Sequence, residues 1–155
     1  MKRGSRISNA LHVLVHLAQA ERVPVTSEHL SACLMTNPVV IRRDMAALRQ
    51  AGVVTSTPGH GGGWTLTRAP EAITLREVYS ALAERLVSMP APDAESPGCV
   101  LEARVHRALG DVFQEIEVLL EARLARITLA DLVKDLPKHG FRPSQHTTEE
   151  VSHGV

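Results

Sequence analysis

Three arginines lie close together in the stretch 36–68, which reads TNPVVIRRDMAALRQAGVVTSTPGHGGGWTLTR. A guanidinium carries several N–H donors in one plane, so it can bind two acceptors of a guanine edge or a phosphate group. The spacing of the apolar residues around Arg42, Arg43 and Arg49 decides whether these side chains reach solvent. What these arginine side chains can bind therefore depends on the secondary-structure element that carries them.

The element is predicted to be a helix with one apolar face. Asn37 is a favourable N-cap, and Pro38 suits the first helical position, where its missing N–H is not needed. Gly52 favours an end to the helix. The inward positions are Ile41, Met45 and Leu48, and the positions off that face are Val39, Arg42, Arg43, Ala46, Arg49 and Gln50.

A glycine-tipped hairpin is predicted to follow the helix. Residues 53–57 and 64–68 are the two expected strands, joined by the flexible turn PGHGGG. Glycines at the tip allow the backbone to approach a partner closely. Trp64 is expected to pack the hairpin onto the rest of the domain, although a contact between its ring and DNA is the alternative. The helix and hairpin together have the form of a recognition helix with a wing.

Two further helices are expected before this unit. The first spans 7–20, with Ser5 or Ser8 as its cap and an inner stripe of Ile7, Leu11, Leu14 or Val15, and Ala18. The second is short, with Thr26 or Ser27 as its cap and Leu30 and Leu34 inward, and Cys33 near its end is predicted to be a small core residue. This order of elements predicts a winged helix-turn-helix, in which the last helix enters the major groove of DNA.

The expected partner is double-stranded DNA. Two copies of the chain would place Asn37, Val39, Arg42 and Arg43 in successive major grooves about 34–36 Å apart, with Val39 or Val40 against a thymine methyl group. Phosphate contacts are expected from Arg6, Ser8, Thr26, Ser27 and Arg49. His60, with Gly61 and Gly62 beside it, is expected to enter the minor groove or meet a phosphate.

A long helix dominates the second half. Thr74 caps a fourth helix, with Leu75, Val78, Leu82 and Leu86 inward, and a proline-rich loop at 87–98 follows it. The long helix runs from Cys99 or Val100 to about Arg126. Its repeated apolar steps of three and four predict dimerisation about a two-fold axis through Leu101, Val105, Leu109, Val112, Phe113, Ile116, Leu119 and Leu120. Packing of this helix against the first helix is the alternative, and both can hold on different faces.

The domain organisation follows from these elements. Residues 1–86 form the predicted DNA-binding domain, 87–98 a loop, 99–136 the dimerisation helix with a short helix capped by Thr128, and 137–155 a disordered tail. The fold class is therefore mainly α with a small β-hairpin wing. Three histidines in the tail are interpreted as part of a solvated segment and not as a metal site.

Charge and composition narrow the function. Residues 1–70 carry eight Lys and Arg against three acidic residues, while the remainder carries nine against fourteen. A basic head and an acidic body favour a polyanion as the partner of the head, although a chance imbalance is the alternative. No membrane span is expected, the basic start is too amphipathic for a signal peptide, and two cysteines make no disulfide framework, so a cytoplasmic protein is predicted.

An enzyme is not expected. GHGGG is similar to an oxyanion-hole motif, but the sequence has no glycine-x-serine-x-glycine nucleophile elbow to accompany it. A winged-helix module that binds protein without specific DNA binding is the competing hypothesis. The basic head argues against this alternative.

Five segments in this order resemble the Rrf2 family of winged-helix regulators, of which the IscR/NsrR-type repressors are a branch. They are ISNALHVLVHLA, NPVVIRRDMAALRQAGVV, GHGGGWTLTR, ITLREVYSAL and ITLADLV, and the resemblance covers roughly residues 4–134. It implies a homodimer, a long dimerisation helix and a palindromic operator.

The resemblance also raises the question of a cofactor. Many members hold an iron–sulfur cluster through three cysteines in the loop before the long helix, and here that loop has only Cys99. His12 and His106 are the conceivable additional ligands. One thiolate per subunit is a poor set for a cluster, so no cofactor or metal is predicted. An unreactive Cys99 is the first expectation, and a redox-sensing thiol at Cys99 or a small effector bound between the head and the long helix is the alternative.

Overall fold

The computed structural model describes residues 5–83, 86–87 and 100–137. Its element order agrees with the order predicted from the sequence. The elements are α1 (Arg6–Gln19), α2 (Ser27–Leu34), α3 (Pro38–Gln50), β1 (Val54–Thr57), β2 (Gly63–Leu66), a 3-10 turn (Pro70–Ala72), α4 (Leu75–Leu82), α5 (Val100–Leu124) and α6 (Leu129–Val133). None of the described helices is long and apolar enough to cross a membrane.

Side-chain caps fix where most of the helices begin. The hydroxyls of Ser5 and Thr26 accept from backbone amides of α1 and α2, and the Asn37 carboxamide accepts from the Val39 amide at 2.8 Å. Thr74 and Thr128 each form a capping box, with Glu77 and Asp131 respectively. These bonds satisfy amides that have no partner within their own helix, which explains why the polar residues predicted as caps start the helices.

The hairpin is antiparallel and shorter than predicted. Val54 pairs with Leu66 and Thr57 with Gly63, so residues 53, 67 and 68 lie outside the strands. Gly52 has φ +72°, a conformation that favours glycine, and it separates α3 from β1. The chain therefore reverses directly from the helix into the wing.

One hydrophobic core holds the first four helices and the hairpin together. Leu14, Leu30, Met45 and Leu48 are fully buried in it, and so is Leu129 from α6. The inner face of α1 differs from the predicted stripe: the buried positions are Ile7, Ala10, Val13, Leu14 and Leu17, while Leu11, Val15 and Ala18 are only partly buried. This helix is covered from several sides, because α2, α3, α4, α6 and β2 all contact it.

The long helix α5 meets the core only through its C-terminal part among the described contacts. Leu120 and Leu124 pack against the core, and Arg76 of α4 pairs with Glu121 at 3.3 Å. Two backbone hydrogen bonds hold the turn between α5 and α6 against the start of α4: Leu75 N donates to Ile127 O, and Leu129 N donates to Ile73 O. No residue of α5 is buried.

Three further predictions need correction or cannot be compared. Cys33 is exposed and not in the core, because Leu30 and Ser31 take the inward positions of α2. The helix α4 ends at Leu82, where Ala83 adopts a left-handed conformation with φ +49°, and Leu86 is exposed. Most of the predicted 87–98 loop, Cys99 and all but the first residue of the 137–155 tail lie outside the described residues.

Candidate nucleic-acid interface

The helix α3 separates an apolar face from a basic face. Ile41, Met45 and Leu48 are buried, whereas the side chains of Arg42 and Arg43 are 55% and 65% exposed. Contacts with α1, α2, α4 and β1 fix the helix in its position. The two predicted arginines therefore reach solvent from a rigid element.

The start of α3 presents apolar and polar groups together. Val39 is 64% exposed and Val40 is half-buried. Asn37 uses its carbonyl oxygen for the cap, so its amide nitrogen takes no part in that bond. Met35, which the sequence analysis did not select, is 80% exposed just before the cap. Its left-handed conformation, with φ +50°, is set by the turn between α2 and α3 and is not readable from its residue type.

Arg42 is paired with an acidic residue of α2. Its guanidinium Nη2 donates to Glu28 Oε1 at 2.5 Å, and both side chains are largely exposed. The pKa of Glu28 is lowered from 4.5, first because the carboxylate accepts a backbone hydrogen bond within its own helix start and then because Arg42 donates to it. The carboxylate is thus ionised at neutral pH, and a DNA acceptor must compete with it for Arg42.

Arg49 connects α3 to the wing. Its NH1 group donates to Ser56 Oγ at 3.3 Å on β1. His60 and Gly61 are exposed at the tip, and Gly62 is half-buried. A Cβ at position 62 would lie 2.2 Å from the carbonyl oxygen of Thr57, so the turn leaves no room for a side chain there. The wing tip and the basic face of α3 therefore belong to adjoining elements.

The base of the wing is attached to the start of α2. Trp64 packs against the core, as predicted, and its indole Nε1 donates to Ser27 Oγ at 3.0 Å. The backbones of Val25 and Trp64 exchange two hydrogen bonds. Ser27 is only 7% exposed, which corrects its assignment as a side-chain phosphate contact: its hydroxyl serves Trp64 instead.

Arg6 also differs from its expected role. Its Nε donates to Asp44 and its NH1 donates to the carbonyl oxygen of Leu82, each at 2.6 Å, so the guanidinium binds groups within the protein. Ser8 and Thr26 are exposed beside the helix starts. The structure thus leaves Thr26 and Ser8 accessible to a phosphate and gives Arg6 structural partners.

The described residues do not fit a metal cluster. They contain no group of three or more His, Cys, Asp and Glu side chains able to hold an ion. His12 stacks on His16 with ring centroids 5.0 Å apart, and His106 has a buried Nε2 that lacks a hydrogen-bond partner within the described part of the chain. The two cysteines of the sequence are too few for the set of thiolates that usually holds an iron–sulfur cluster.

Residues 4–135 match the Rrf2 family, which is described as an iron-dependent transcriptional regulator. This chain belongs to the Rrf2 family. It is 30% identical to YwnA of Bacillus subtilis, whose name describes a candidate HTH-type transcriptional regulator, over 85% of this chain and 97% of YwnA. It is 29% identical to the protein Rrf2 of Nitratidesulfovibrio vulgaris, over 96% of this chain and 99% of that protein.

Solved structures show the same architecture. IscR from T. potens superposes with a TM-score of 0.64 at 23% identity, covering 92% of this chain and 93% of IscR. CymR, the global cysteine regulator of B. subtilis, superposes with a TM-score of 0.59 at 22% identity, covering 88% and 99% of the two chains. The mainly α fold with a β-hairpin wing is therefore confirmed, and the chain is a DNA-binding transcriptional regulator of the Rrf2 family and not an enzyme.

Proposed function

We propose that this regulator binds a palindromic operator as a homodimer and represses transcription in the cytoplasm. The observation that carries the proposal is the pair of exposed arginines on α3, held by a buried apolar face on the same helix. A helix that is anchored on one side and basic on the other can enter a major groove without rearranging.

The roles of individual residues follow from their position. Arg42 and Arg43 are assigned to guanine edges, Val39 and Val40 to a thymine methyl group, and Asn37 to an adjacent base through its amide nitrogen. Arg49, Thr26 and Ser8 are assigned to phosphates, which fix the register of the protein on DNA. His60, Gly61 and Gly62 are assigned to the backbone or minor groove beside the site.

The proposed dimer depends on α5. Six large apolar side chains along this helix are more than two-fifths exposed and recur at steps of three and four: Leu101, Val105, Leu109, Val112, Ile116 and Leu119. Phe113 and Leu120 are half-buried next to them. Steps of this kind form one continuous apolar stripe, and a second copy of the same helix supplies a self-complementary partner for it.

The test is DNA binding measured against salt. A duplex that the wild-type protein selects from a randomised library serves as the operator, and a scrambled duplex of the same length serves as the reference. Replacing Arg42 and Arg43 by Ala should weaken operator binding by about tenfold or more, since each lost base contact costs on the order of 1–3 kcal/mol. The dependence of affinity on salt should also become shallower where a phosphate contact is lost.

Arg104→Ala with Arg107→Ala is the matched control, because it also removes two positive charges, from exposed positions on α5. Unchanged affinity and salt dependence in the α3 variant would refute the interface. Weak retention of all duplexes by the wild-type protein would favour the protein-interaction module instead.

The signal to which the regulator responds is a separate proposal. Cys99 is assigned as a redox-sensing thiol, on the basis of its place directly before α5. Oxidant should change operator affinity in the wild-type protein and leave a Cys99→Ser variant unaffected. An equal response in both proteins would refute this role.

A further inference from the structure

The recognition helix contains a buried carboxylate. Asp44 is 3% exposed and is the one acidic or basic residue that is buried among the described residues. It directly follows Arg42 and Arg43, and it lies on the side of α3 that also carries the buried Ile41 and Met45. An apolar residue would suit that environment without the loss of hydration that a buried charge suffers.

The guanidinium of Arg6 compensates the charge of Asp44 and also binds a second group, a backbone carbonyl of α4. Arg6 Nε donates to Asp44 Oδ1 at 2.6 Å, and Arg6 NH1 donates to Leu82 O at 2.6 Å. Arg43 Nε lies 3.5 Å from the same Asp44 oxygen. Arg6 and Asp44 together thus connect the start of α1, the basic face of α3 and the end of α4.

We propose that Asp44 is a positioning residue for operator recognition, which acts through Arg6 to fix the rotation of α3 and through its own oxygen to restrain Arg43. This inference rests on the proposed DNA-binding role of α3. A long exposed arginine side chain has many rotamers, and a nearby carboxylate reduces that number before DNA arrives. The restraint therefore favours the specific complex over loose binding to phosphates.

The hydrogen bond from Arg6 to the Leu82 carbonyl extends this restraint to α4. Leu82 is the last residue of α4, and Ala83 turns the chain out of that helix toward the segment that leads to α5. Because Arg6 binds the Leu82 carbonyl and Asp44 at once, a displacement of the α4 end also displaces the partner of the recognition helix. The Arg6–Asp44 pair therefore links the end of α4 to the side of α3 that carries Arg43.

The experiment replaces the ion pair by apolar side chains of similar size. The double variant Arg6→Met, Asp44→Leu removes both charges, and buried ion pairs exchanged in this way commonly leave folding stability unchanged or improved. A second double variant, Arg107→Met, Asp111→Leu, removes one basic and one acidic residue from exposed positions of α5 and is the matched control.

Three quantities are measured on each full-length protein: the thermal unfolding midpoint, the affinity for the selected duplex and the affinity for the scrambled duplex. We expect the Arg6/Asp44 variant to unfold at or above the wild-type midpoint and to keep its scrambled-duplex affinity within about twofold. Its ratio of selected to scrambled affinity should fall about tenfold, the size of effect expected when one base contact is lost. The control should keep the wild-type ratio.

An unchanged ratio in a folded Arg6/Asp44 variant would overturn the inference, because a purely structural pair affects stability and not sequence preference. If that variant does not fold, Asp44→Asn, which keeps the shape, is combined with Arg43→Ala. If the losses in the ratio of selected to scrambled affinity from Asp44→Asn and Arg43→Ala add in the combined variant, the inference is overturned. If the combined variant loses no more than Arg43→Ala alone, the inference is supported. A wild-type protein without any preference for its selected duplex would overturn the proposed function itself.

Discussion

The arginines of the head are placed in two ways: the side chains of Arg42 and Arg43 are largely exposed, and the guanidinium of Arg6 binds partners within the protein. Arg42 and Arg43 are exposed as the helical spacing predicts. Arg6 was expected to face phosphates, but it binds Asp44, which is 38 positions away in the sequence. Ser27 and Trp64, 37 positions apart, are a second such pair. A pattern read within one helix contains no information on contacts of this kind.

Removal of the Glu28 carboxylate should raise the affinity of the protein for DNA, because Arg42 then has no acidic partner in this pair. Glu28→Gln should strengthen operator binding by about two- to fivefold, because an exposed ion pair that competes for Arg42 is worth on the order of 0.4–1 kcal/mol. Titration of a labelled duplex at constant salt measures the change. Glu71→Gln, which removes an equal charge from the 3-10 turn, is the control for net charge. An equal gain in both variants would show that only net charge matters.

The lowered pKa of Glu77 predicts that the free energy of unfolding depends on pH. Its pKa is lowered from 4.5, mainly by the backbone hydrogen bond from Thr74 and then by Arg68. A lowered native pKa adds stability that is present above pH 4.5 and is lost as the pH falls through the native value. Glu77→Gln should therefore unfold more easily at pH 7, by about 0.5 kcal/mol because water screens this partly exposed group. Urea titrations should show the two proteins converging well below pH 4.5, and a constant difference would contradict the assignment.

At the scale of elements, the wing acts as an extension of the head and not as a separate hairpin. Its base exchanges hydrogen bonds with Val25, and its aromatic residue packs on the core. A two-stranded hairpin is only marginally stable by itself in water. The attachment at Val25 and Ser27 therefore determines where His60 is held.

Gly63→Ala should weaken that attachment. A Cβ at this position would lie 2.6 Å from the carbonyl oxygen of Val25, so the wing must move away from the strand-like segment before α2. We expect a loss of about 2 kcal/mol in unfolding free energy and faster amide hydrogen exchange at Trp64. Gly59→Ala, where nothing lies within 4 Å, should cost only the strain of its positive φ, about 1 kcal/mol. Equal losses would contradict a clash at the wing base.

The element order, the caps and the long helix could be predicted because local signals specify them. Asn37, Thr74 and Thr128 are cap residues by type, and each caps its helix. The spacing predicts the inner face of α1 only in part: Ile7 and Leu14 are buried, but Leu11 and Ala18 are not, because neighbouring elements cover this helix from several sides. Periodicity identifies an amphipathic helix well, but it does not rank two apolar faces.

At the scale of the whole molecule, the described residues include a continuous apolar surface that the single chain leaves exposed. The stripe along α5 exposes Val112 at 49% and Ile116 at 42%, among other large apolar side chains. Contiguous apolar surface of this kind marks an interaction site. The dimer that we propose would cover this stripe.

Val112→Glu with Ile116→Glu should convert the protein to a monomer. Two like charges that face their copies across a two-fold axis repel and lose hydration. Sedimentation should show half the wild-type mass, and operator affinity should fall more than 100-fold because the two recognition helices would bind independently. A control at exposed positions on the opposite face of α5, Ala103→Glu with Gln114→Glu, adds the same charge away from the stripe. A dimer that survives in the Val112/Ile116 variant would exclude the stripe as the interface.

The described contacts between α5 and the head lie near the C-terminal end of this helix, so a small tilt there displaces its N-terminal end by a larger distance. With 25 residues it is about 37 Å long at 1.5 Å per residue, and its described fastening to the head lies at Glu121, Leu124 and Ile127. A tilt of about ten degrees at that pivot moves the distal end by about 6 Å, or more than one helical turn. A small shift at that pivot is therefore magnified along the helix, and in the dimer that we propose the spacing of the two heads would change with it.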